Sequence, residues 1–214
     1  MLPNFAQKNK KLLTLNLVPG YAPFSEKLIK INGKEYREWD PKRSKLAAAI
    51  LKGISEFGIR EDSDILYLGA AHGYTPSFIS DIAAKGKIFA LDFAPRVVRE
   101  LVYLSEKRKN LCPLLGDANH PDSYFWNIGR QFDVVYMDIA QKNQTEIFLK
   151  NIQLYLKKGG YGLLALKAKS INVAENPEKI FKQARKDIEP HVSVLQQKTL
   201  NPFQMDHCFF VVRK

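Results

Sequence analysis

The chain has 214 residues, 45% hydrophobic and 26% charged, with a net charge of +11, which excludes a disordered or collagen-like chain and suits one domain with an appendage. Cys112 and Cys208 are too few for a disulfide framework, and both stand in apolar strand-like runs where a buried free thiol is the usual state. No apolar run reaches the roughly 20 residues of a membrane span, and "MLPNFAQKNKK" lacks an apolar leader core, so a soluble, cytoplasmic protein without a membrane partner is expected.

The first forty residues alternate like strands in "LLTLNLV" and in "KLIKINGKEYREW", where "NG" marks a turn. Residues 1–40 are therefore read as a small β appendage, too short to bury a core alone and expected to pack on the main domain or on another protein. From "WDPKRSKLAAAILKGI" the pattern becomes helical, with Asp40 and Pro41 opening a helix and Ala47, Ile50, Leu51 and Ile54 at helical spacing. The main domain is read as residues 41–214. Apolar runs at 65–68, 88–91, 111–115, 133–137 and 161–167 alternate with amphipathic stretches such as "PRVVRELVYLSEKR" and "QTEIFLKNIQLYLKK". That alternation predicts an α/β fold with a doubly wound, mostly parallel sheet. The tail offers two strand-like runs with no helix between them, read as an antiparallel pair closing the sheet.

Positive charge is concentrated. Residues 1–45 carry ten Lys or Arg against four acidic residues, and residues 141–186 carry ten against three. Brought together by folding, these segments would form an RNA-facing surface; a merely solvated face is the plainer alternative.

The turn after the first main-domain strand reads Gly69-Ala-Ala-His-Gly73, without the middle glycine of a dinucleotide fingerprint. This argues against a pyrophosphate and leaves room for a cofactor without phosphates. Asp92 closes the second strand, 23 residues after Gly69, where ribose hydroxyls are bound in either class. Asp117 closes the third and suits the exocyclic amine of an adenine, and Asp138 closes the fourth. Three carboxylates on consecutive strand ends suit the cation S-adenosylmethionine. Taken singly, each Asp could equally be a helix cap.

"YREWDPKRSKLAAAILKG", "LYLGAAHGYTPS", "LLGDANHP", "DIAQKNQTEIFLKN", "LKKGGYGLLALKAKSI" and "MDHCFFVV" together resemble fibrillarin, in its prokaryote-like form, from about Ile29 to Val212. The resemblance implies a Rossmann-like S-adenosylmethionine-dependent methyltransferase fold and transfer of a methyl group to RNA ribose 2′-hydroxyls. It implies partners too: a Nop-domain scaffold, a kink-turn-binding ribosomal-type protein, a box C/D guide RNA and its target RNA. It carries donor-binding roles to Tyr74 and Thr75 beside Gly69 and Gly73, to Asp92 with Phe93 on ribose and adenine, and to Asp117 with Ala118 on the adenine edge. Asp138, Ile139, Ala140 and Gln141 would lie near the methionine end. This sequence has His72 where the family usually has Ser or Ala, Tyr74 for Thr, Asp92 and Met137 for Glu, and Lys142 for Pro.

The family's Lys-Asp-Lys-(His or Glu) constellation falls on Lys45, Asp138, Lys167 and His207. A 2′-hydroxyl is a poor nucleophile, so Lys167 would either take its proton or offset the charge growing on oxygen. Asp138 would orient Lys167, and His207 would complete the cluster. The histidines show no ligand spacing, so no metal is expected. Competing readings are a stand-alone RNA or small-molecule methyltransferase, a non-catalytic assembly subunit, and a dehydrogenase, which the glycine turn disfavours.

Overall fold

The structure, a computed structural model, describes residues 4–8 and 11–214. Four strands make an N-terminal antiparallel sheet: β1 (Phe5–Lys8), β2 (Lys11–Leu15), β3 (Leu28–Ile31) and β4 (Lys34–Trp39), in the order β1-β2-β4-β3. β3 and β4 form the predicted hairpin, with Asn32 and Gly33 both at positive φ, the geometry of a type I′ turn. β1 has no counterpart in the sequence reading.

The larger sheet alternates with helices: α1 (Lys45–Leu51), β5 (Ile65–Leu68), α2 (Tyr74–Ile82), β6 (Ile88–Asp92), α3 (Pro95–Lys107) and β7 (Leu111–Leu115). A 3-10 turn (Pro121–Tyr124) and α4 (Phe125–Ile128) lead to β8 (Phe132–Met137), α5 (Gln144–Tyr155) and β9 (Leu156–Lys167). Then come α6 (Ala168–Ile171), α7 (Pro177–Ile188), β10 (Ser193–Thr199) and β11 (His207–Arg213). The seven strands run in the order β10-β11-β9-β8-β5-β6-β7. β7, β6, β5, β8 and β9 are mutually parallel, and β11 inserts antiparallel between β9 and β10. The chain builds outward from β5 in one direction to β7, then returns to the other side at β8. The strand order therefore reverses beside β5, the place where open α/β sheets bind ligands at the carboxyl ends of their strands.

Two expectations shift. Asp40 and Pro41 open a turn, not a helix; α1 starts four residues later, capped by Ser44, whose Oγ accepts from the Ala47 N–H at 3.3 Å. The displaced start puts Lys45 at the first position of the helix. β9 also begins earlier than residue 161, because α5 ends at Tyr155 and the strand turns a corner at Gly159, φ +76°.

The N-terminal sheet packs on the main domain, as expected of a unit without its own core. Leu12 and Trp39 join the apolar cluster beneath the large sheet, and Trp39 stacks on Phe78 of α2 with 5.2 Å between ring centroids. A polar lock reinforces the seam. Asp81 of α2 is fully buried and accepts from Arg37 of β4 at 2.7 Å, Arg108 at 2.6 Å and the Thr14 hydroxyl at 2.7 Å. Arg37 also pairs with buried Glu26. Buried charges of this kind are held only because each is paired and hydrogen-bonded.

Candidate active site

The glycine turn exists because two strand ends come very close. Gly69 has φ +80°, and a Cβ there would lie 2.4 Å from the Asp138 carbonyl oxygen, so only glycine lets the ends of β5 and β8 meet. Ala71 takes φ +47°, a conformation uncommon for a residue with a Cβ, and its N–H donates to Asp92 Oδ2 at 2.9 Å. Asp92 Oδ1 accepts from the Ala94 N–H at 3.1 Å. Asp92 thus braces both the turn and the start of α3, which joins the capping alternative to the binding one.

At the strand ends lies a cavity of about 180 Å³, lined by Gly69, Asp92, Phe93, Asp117 and Ala118 together with Asp138, Ile139, Ala140 and Gln141. Larger hollows of about 770 and 520 Å³ border α5 and α7, but none of the three strand-end carboxylates reaches them. Phe93 is 69% exposed at the cavity's rim, a free aromatic face for a planar base. Asp117 Oδ1 accepts from the Asn119 backbone N–H at 2.9 Å and from its side-chain amide at 3.0 Å, and the backbone bond foremost holds its carboxyl below the usual range. The Asn119 amide also donates to Gln141 Oε1 at 2.7 Å and so joins the two walls. Asn119 was not singled out from the sequence, although it lies within "LLGDANHP".

Three of the predicted binding residues stand outside this lining. The Tyr74 ring packs edge-on against Phe24 and under the Arg43 guanidinium at 4.1 Å, and its hydroxyl accepts from the Asp40 N–H. Thr75 is buried and its hydroxyl donates to Ser44 Oγ at 3.0 Å. Gly73 faces Leu101 and Leu104 of α3. None of the three lines the cavity: the larger ring at position 74 finds an apolar and cationic niche against the N-terminal sheet, and Thr75 is drawn to the cap of α1. His72 is an exposed loop side chain, 3.6 Å from Glu100.

The four candidate catalytic residues converge from four elements. Lys45 Nζ pairs with Asp138 Oδ2 at 2.9 Å. Lys167, the last residue of β9, is the direct register partner of His207, the first of β11. The Lys167 ammonium has no hydrogen-bond or ion-pair partner among the described residues. His207 is mostly buried; burial foremost, and the nearby Lys45 and Lys167 charges, push its pKa down against the pull of Asp138 and of its bond to the Met205 carbonyl. That bond, 2.6 Å from Nδ1, fixes the tautomer, because a carbonyl only accepts. Neutral His207 therefore presents Nε2 as an acceptor. Lys45 and Lys167, one from each of the two basic segments, both lie near His207.

The set can hold a cationic, phosphate-free nucleoside and place amines and a carboxylate around a reacting oxygen. The sequence model of the Fibrillarin family matches residues 2–214. The chain is 47% identical over 203 residues to the fibrillarin-like rRNA/tRNA 2′-O-methyltransferase of Methanocaldococcus jannaschii, covering 94% of this chain and 88% of that protein. It is similar to the crystal structure of Aeropyrum pernix fibrillarin with natively bound S-adenosyl-L-methionine, at 41% identity and a TM-score of 0.86 over 94% of this chain and 88% of that one. It also matches the crystal structure of a fibrillarin/Nop5p complex, at 36% identity and a TM-score of 0.90 over 100% and 99% of the two chains.

Proposed function

The chain belongs to the fibrillarin family, it is an S-adenosylmethionine-dependent RNA ribose 2′-O-methyltransferase, and we propose which of its residues carry the reaction. The observation that supports the assignment best is the convergence of Lys45, Asp138, Lys167 and His207 beside the carboxylate-lined cavity.

The donor set fits the cofactor. Asp92 offers its remaining lone pairs to the ribose diol, Phe93 its ring to adenine, and the Asp117–Ala118 edge an acceptor for the exocyclic amine; Asp138 to Gln141 border the methionine end. Bound there, S-adenosylmethionine supplies an electrophilic methyl group on a sulfonium. The protein's part is to hold the acceptor ribose in line and to manage the charge and proton of its 2′-oxygen. Lys45 orients the Asp138 carboxylate through their ion pair. The unpaired Lys167 side chain is available to that oxygen: as the neutral amine it takes the proton, and as the ammonium it offsets the developing charge. His207 accepts a hydrogen bond at Nε2 from the ribose or from Lys167.

A Nop-domain protein is a partner, in keeping with the fibrillarin/Nop5p complex. We further propose that a kink-turn-binding protein and a box C/D guide RNA complete the particle, that the guide selects the target by base pairing, and that it works in the cytoplasm. Among the described residues no RNA-reading module stands beside the methyltransferase fold. The test is reconstitution. Purified protein should bind donor but leave 2′-O-methyl marks on a target RNA only when scaffold, kink-turn protein and guide are added. Robust methylation without a guide would overturn the proposal.

A further inference from the structure

We infer that Gln144 is a positioning residue that sets the height of Lys167 against the loop at the methionine end of the donor site, an inference that rests on the role proposed for Lys167. The β8–β9 ladder ends at the pair Met137 and Leu164, yet β9 runs on to Lys167. Over those last residues the chain of β8 has already left as the loop 138–143, so the edge of β9 facing it has no strand. The Gln144 side chain fills the gap. Its Oε1 accepts from the Lys167 N–H at 2.9 Å and its Nε2 donates to the Lys167 carbonyl at 3.1 Å, as a peptide group of a neighbouring strand would. The same Nε2 donates to the Gln141 carbonyl at 2.8 Å.

Gln144 is fully buried at the first position of α5, so its amide has no competition from water and its orientation is dictated by three protein partners. On the opposite edge of β9, His207 pairs with Lys167 in the sheet. On that side the ladder bond is made one residue later, from the Ala168 N–H to the Asp206 carbonyl at 2.9 Å, so the Gln144 side chain is what holds both backbone polar groups of Lys167 and ties them to the donor loop. A displacement of about 1 Å at such a point can cost on the order of a hundredfold in rate without any change in the reacting groups.

The test compares Gln144→Met, which keeps the volume and removes all three bonds, Gln144→Glu, which can still accept from the Lys167 N–H, Lys167→Ala, and the double variant Gln144→Met with Lys167→Ala, each in the reconstituted particle. Readouts are single-turnover rate, calorimetric donor affinity and thermal midpoint. Gln144→Met should slow methylation roughly ten- to a hundredfold, with donor affinity moved less than about fivefold, and Gln144→Glu should lie between it and the wild type. The double variant should be no slower than Lys167→Ala. Wild-type rate in Gln144→Met alongside an inactive Lys167→Ala would overturn the inference and leave the role of Lys167 standing. A double variant slowed by the full Gln144→Met factor would also overturn it, since Gln144 would then act independently of Lys167. An active Lys167→Ala would instead remove the reading on which the inference rests. Should Gln144→Met fail to fold, the same comparisons hold with Gln144→Glu.

Discussion

His207 and Lys167 stand directly opposite each other on neighbouring antiparallel strands, at the edge of the sheet where β5 to β9 end. Backbone register thus starts the imidazole and the amine from facing positions on the two strands.

His207 should respond to its cationic neighbours. Its pKa is lowered by burial and then by Lys45 and Lys167, while Asp138 raises it. Lys45→Met removes one cation and frees the Asp138 carboxylate, so the His207 pKa should rise, as read by the shift of its ring carbon protons against pH. The same depression has a stability consequence. With a native pKa below the ordinary value of 6.5, the unfolded chain takes up the proton first as pH falls, so stability is lost from about pH 6.5 downward to the native value. His207→Gln should flatten that part of a plot of thermal midpoint against pH.

Asp92→Ala should weaken donor binding by roughly ten- to a hundredfold, the worth of one or two hydrogen bonds to a charged group. Asp92→Asn keeps one acceptor for the Ala71 or Ala94 N–H and should cost less stability while still losing affinity. Titration calorimetry with S-adenosylmethionine decides; unchanged affinity in Asp92→Ala would take this carboxylate out of the binding site.

Asp81→Ala should destabilise the fold by about 3–5 kcal/mol, because it strands two buried guanidiniums, Arg37 and Arg108. Denaturant melts measure the loss. A change below about 1 kcal/mol would mean that water relieves the two charges.

Gly69→Ala should both destabilise the protein and abolish donor binding. Its Cβ would press on the Asp138 carbonyl at 2.4 Å from a left-handed backbone, so the strand ends that frame the cavity would have to part. Retained calorimetric affinity in a folded variant would show that the two ends tolerate separation.

The parallel strands were legible because both faces of such strands are buried and the sequence shows near-continuous apolar runs. β1 escaped because "FAQK" supplies too little apolar patterning, and the start of α1 was misplaced because Asp40-Pro41 and Ser44 are both plausible openings; tertiary contacts chose the second. The Lys45, Asp138, Lys167 and His207 cluster was reached through resemblance, not spacing, since α1, β9 and β11 are far apart along the chain. What the Tyr74 and Thr75 side chains touch was not legible for a complementary reason: a motif carries positions, whereas the direction of a side chain depends on neighbours such as Phe24, Arg43 and Ser44. Gln144 lay in a quoted stretch, but its bonds are to the backbone of a remote strand, and no local pattern announces such a bond.

The insertion of β11 between β9 and β10 has a bearing on biosynthesis. During translation β10 leaves the ribosome before β11, yet in the finished sheet β10 is the outer strand and must wait one strand-width away from β9. A nascent polypeptide halted before residue 207 would lack both the wedge that joins them and the imidazole it carries.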